Sequence, residues 1–72
     1  MSLQDIQSAD PQLHVANITQ GFEELIRHLR RDVARVTEPK AQALFETSAE
    51  VLQGLVTAFE HYSAGHEAGF RR

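Results

Sequence analysis

Cysteine and tryptophan are absent from the 72 residues, and proline occurs only at Pro11 and Pro39. Without thiols the chain has neither disulfides nor a thiolate metal site, two of the routes by which small domains make up for a small core. Oligomerisation becomes the leading route, because so short a chain hides a smaller fraction of its surface on folding than a larger domain does. The lack of cysteine also accords with a reducing compartment, so a cytoplasmic location is expected. No apolar run approaches the roughly 20 residues that a bilayer span requires. The N-terminal Met-Ser-Leu-Gln-Asp-Ile-Gln-Ser has no basic stretch leading into an apolar one. A soluble chain with no membrane partner is therefore expected. Positive charge is in short supply too: seven basic against ten acidic residues give a net charge of −3, which opposes non-specific binding to polyanions.

What the chain does have is helical periodicity in two halves. Residues 1–9 form a polar, flexible arm in which only Leu3 and Ile6 are large and apolar. Asp10-Pro11 opens helix 1, since Asp accepts from the free amides of a first turn and Pro at the first position gives up a bond that would not be made. Val15, Ile18, Phe22, Leu25, Leu29, Val33 and Val36 then recur at steps of three and four, with Ile26 beside them. The spacing predicts a helix over about 10–37. Gly21 lies on the flank of that stripe and is either a close helix crossing or a tolerated glycine.

Glu38-Pro39 divides the halves, because Pro disfavours helical geometry in the preceding residue and lacks an amide. A turn at this point makes the chain a hairpin; a kink would leave one long helix. Helix 2 is predicted over about 39–64, with Gly65 as its cap and 65–72 as a C-terminal tail in which Phe70 is the one anchor. Its apolar set is Ala41, Leu44, Phe45, Val51, Leu52, Leu55, Val56, Ala58, Phe59 and Tyr62, around a central Ser48. At about 100° per residue this set spans roughly 160°, wider than one partner helix covers. The expected fold is thus all-α, an antiparallel helical hairpin at 10–64 that dimerises into a four-helix bundle. The expected oligomer interface draws on Phe22, Leu25, Leu29, Leu44, Phe45, Leu52, Leu55, Val56 and Phe59.

Three constellations bear on chemistry. Glu24, His28 and Asp32 recur every four residues, which brings ligands to one ion in some bundles. His28, however, falls about 110° from the centre of the apolar stripe, so surface pairing of Glu24 with His28 and of His28 with Asp32 accounts for the spacing and no metal is expected. His14, His61 and His66 do not converge with it. Arg27, Arg30, Arg31 and Arg35 form a basic segment with a possible phosphate-binding face at Arg27, Arg31 and Arg35, but Glu23 and Asp32 are placed to neutralise part of it. Ser48 has no base or glycine-rich oxyanion turn to make it a nucleophile, and Tyr62 suits a core edge. No catalytic residue and no cofactor are expected. The leading reading is a small non-catalytic protein-interaction or structural module that self-associates and is open to a heterologous protein partner. The alternative is a nucleic-acid-binding helical dimer using the arginine segment, and the third a metal-carboxylate bundle.

Overall fold

The computed structural model describes residues 3–67, with the side chains of His66 and Glu67 excepted. Two helices, α1 over Pro11–Val33 and α2 over Pro39–Glu67, pack against each other as a hairpin, and no strand occurs among the described residues. The start of α1 reflects the capping chemistry of its sequence. Asp10 is extended, its Oδ1 accepts the Gln12 amide at 3.0 Å, and Pro11 takes the first helical position.

The helix ends four residues earlier than the spacing predicts. Its last amides turn back in short bonds, Ala34 to the Arg31 carbonyl at 3.3 Å and Arg35 to that of Asp32 at 2.9 Å, so Val36 leaves the periodic stripe. Reversing the chain requires a connection, and residues 34–38 supply it at the length common for helical hairpins. Gln42 closes this turn by donating from Nε2 to the Val36 carbonyl at 2.9 Å, while its backbone amide reaches the Glu38 carbonyl at 3.0 Å. Pro39 therefore stands at the first position of a new helix and is not a kink in an old one. At the other end, α2 runs through Gly65 to Glu67, so Gly65 is not the cap that its residue type suggests. A helical glycine costs only about 1 kcal/mol relative to Ala, too little to end a helix by itself. The Phe70 anchor lies outside the described residues.

The core is small. Ile26, Ala49 and Val56 are buried, with Phe22, Leu29 and Leu52 packed against them. The Phe22 and Phe59 rings meet edge to face at 5.4 Å between centroids, an arrangement worth about 0.5–1.5 kcal/mol beyond its area. Gln12 ties the open end of the hairpin, donating from Nε2 to the Ser63 carbonyl at 3.3 Å.

Residues 3–10, expected from sequence to be a flexible arm, lie against α1. The Asn17 side-chain amide accepts from the Gln4 amide at 3.0 Å and donates to its carbonyl at 2.8 Å. His14 Nε2 lies 2.6 Å from the Ser8 carbonyl, to which it donates. Leu3 sits over Gly21, where a Cβ would come within 2.8 Å of Leu3 Cδ2. The close approach at Gly21 is thus to the arm and not to a second helix.

Candidate interaction surface

The hairpin has two unlike faces, each a consequence of how the apolar arcs are shared. Ile26 on α1 and Ala49 and Val56 on α2 meet at the helix interface, which turns the remainder of both arcs outward. Leu44 is 61% exposed and Val51 59%, and Leu25, Leu55 and Tyr62 stay near 40%. At about 100° per residue Leu44, Val51, Leu55 and Tyr62 fall on one side of α2, and two grooves open between the helices. A groove of about 450 Å³ runs between Leu25 and Leu29 of α1 and Thr47, Ser48, Val51 and Leu52 of α2. A second, of about 330 Å³ and almost wholly apolar, lies among Val15, Ala58, Phe59 and Tyr62. Elsewhere charged and polar groups share the space between the helices: Thr19, Gln20, Glu23 and Glu60 stand with Val15, Ala16, Phe59 and Ala64 around one hollow, and Arg30 and Glu46 flank Val33 in another.

The nine residues expected at an oligomer interface divide accordingly. Val56 is buried inside the hairpin, and Phe22, Phe45, Leu29, Leu52 and Phe59 are half-buried. Leu25, Leu44 and Leu55 present most of what remains on the open side, together with Val51 and Tyr62. Periodicity finds both groups but does not separate them. Ile26, which sequence places beside the stripe of α1, is a centre of the core, because α2 approaches α1 from that flank.

The chemical constellations stay dispersed. Arg31 Nη2 donates to the His28 ring at 3.0 Å, an exposed contact one turn apart on α1. Among the described residues no three His, Asp or Glu side chains come together as metal ligands, and Glu24, His28 and Asp32 form no such set. Arg27, Arg30, Arg31 and Arg35 are exposed and spread along α1 and the turn after it, with Arg30 beside Glu46 of α2. His14 is held by the arm, and His61 is exposed on α2. Ser48 lies in the wall of the apolar groove with no histidine beside it in that lining. Among the described residues no helix is long and apolar enough to cross a membrane.

The fold and its open face define a two-helix hairpin with one apolar side. Comparison with protein-family models, curated proteins and solved structures finds no match for the chain.

Proposed function

We propose that the chain is a non-catalytic protein-interaction module whose working form is a self-associated bundle. One observation carries this reading: among the described residues the hairpin buries only Ile26, Ala49 and Val56 of its hydrophobic side chains, yet leaves Leu44, Val51, Leu55, Tyr62 and Leu25 open. Full burial of such a side chain stabilises by about 1.5–3 kcal/mol, and with these five about half exposed, covering them contributes roughly half of that apiece. The arrangement also has only one layer of helices, 12 Å thick across the Cα positions, whereas stable domains are built from at least two packed layers. A second hairpin supplies the missing layer, and a two-fold dimer is the commonest way to provide it.

Sedimentation equilibrium at low micromolar concentration tests the reading. The unmodified chain is expected to be a dimer or larger, and Val51→Glu, which places a charge on the open side, is expected to shift it to monomer. A well-folded monomer of the unmodified chain would overturn the proposal.

A further inference from the structure

We infer that a second copy of this chain docks antiparallel along α2, with the two-fold axis passing between Val51 and Leu55, at the level of residue 53. The inference rests on the self-association proposed above and adds its seam, direction and register.

The seam is Leu44, Ser48, Val51, Leu55, Ala58 and Tyr62, separated by four, three, four, three and four residues. This alternation is the spacing of helices that pack along their length, and at 100° per residue the six fall within about 80° of one another. Their order of size reads alike from both ends: large, small, large, large, small, large. An antiparallel copy centred on residue 53 sets Leu44 against Tyr62, Ser48 against Ala58 and Val51 against Leu55, so every layer of one helix meets a counterpart of matching size. The two small layers let the helices come close at two symmetric points.

Charge and backbone point the same way. A chain of net charge −3 repels its own copy unless the contact avoids acidic groups. None of the six seam residues is charged, nor are Thr47, Gly54 and His61, which lie along the seam's outer edge. Gly54 has no purpose inside the hairpin, since a Cβ there would meet nothing within 4 Å, yet it weakens the middle of a 29-residue helix. On the seam's edge at the level of the two-fold axis it flanks its own copy, where the missing side chain permits close approach.

Direction is set by the rest of the open face. Leu25 shares a groove with Val51 and Leu52 and so lies near the level of the axis. An axis perpendicular to the helices lays α1 over α1 of the copy and covers Leu25, whereas a parallel α2 pair sends the two α1 helices to opposite sides of the seam and leaves it bare. Opposed helix dipoles favour the same choice. The hairpin measures 48 × 28 Å across this face, room for the roughly 800 Å² per partner that a stable interface covers.

The test uses the full chain, whose lack of cysteine makes any introduced thiol unique. Leu44→Cys and Tyr62→Cys are prepared separately, mixed and oxidised. The mixture is expected to give a covalent heterodimer and neither variant alone a homodimer. In this register Leu44 and its copy stand roughly 27 Å apart at 1.5 Å per residue, far beyond the roughly 7 Å limit for a disulfide between Cα positions. In parallel, Gly54→Leu is expected to weaken dimerisation at least tenfold with helix content retained, because the hairpin has open space there. Dimers that link Leu44→Cys to itself, or that link neither combination and tolerate Gly54→Leu, overturn the seam while leaving self-association standing. A monomeric unmodified chain overturns both.

Discussion

Gly21 and Leu3 make a single fit between two residues 18 positions apart, and the fit fixes where the N-terminal arm lies. The contact is too close for a Cβ, with Leu3 Cγ 2.9 Å and Cδ2 2.8 Å from the place one would occupy. Gly21→Ala therefore unseats the arm, with two opposing effects on stability. The substitution raises helix propensity by about 0.8–1 kcal/mol. Leu3 is 52% exposed even when seated, so its loss forgoes about half of the roughly 1.5–3 kcal/mol of a fully buried leucine. The two effects nearly cancel. The melting temperature is expected to change little, while the Gln4 amide, bonded to Asn17 at 3.0 Å, loses its protection from hydrogen exchange. Retained protection at Gln4 would show that the arm does not depend on the glycine.

At the scale of elements, the two ends of α1 are made by different means. The first is local: Asp10 accepts the Gln12 amide, and Asp10→Ala is expected to cost about 1 kcal/mol. Chemical denaturation should read this as a lower midpoint with an unchanged slope; an unchanged midpoint would mean that Pro11 alone sets the start. The far end is shaped by the reversal of the chain, which needs residues 34–38 and so withdraws Val36 from a stripe that would otherwise include it. Arg30 and Arg31 occupy the last turn, where cations favour the helix dipole. That placement gives the arginine segment a structural basis. With acidic residues interleaved and a net charge of −3, little RNA or DNA binding is expected at about 0.15 M salt, where charges are felt over about 8 Å. Submicromolar binding that falls with salt and disappears when Arg27, Arg31 and Arg35 are all replaced by Gln would favour a nucleic-acid binder over an interaction module.

For the whole molecule, the division between inner and outer hydrophobic residues separates folding from assembly. Ile26 is 7% exposed, and Ile26→Ala is expected to cost about 2–5 kcal/mol, enough to unfold a marginal domain. Leu44→Ala removes a side chain that is 61% exposed in the hairpin, so it should leave helix content intact and weaken association. Circular dichroism and sedimentation on the same two samples check this. Equal loss of helix in both would mean that hairpin and assembly form as one cooperative unit.

The sequence by itself determined the all-α class, the two helices, the cap at Asp10 and the break before Pro39, because these depend on local chemistry and on a period of about 3.6 residues. Tertiary structure alone decided which apolar residues close the hairpin. Two arcs, each wider than their contact, can meet at many angles, and the meeting here falls on Ile26, Ala49 and Val56 and leaves Leu25, Leu44, Val51 and Leu55 outside. Periodicity records that a residue is apolar and on a face; it carries no information about which part of that face another element covers. For the same reason Gly21 was legible as a place of close approach but not as the seat of Leu3, since that contact joins positions with no common period.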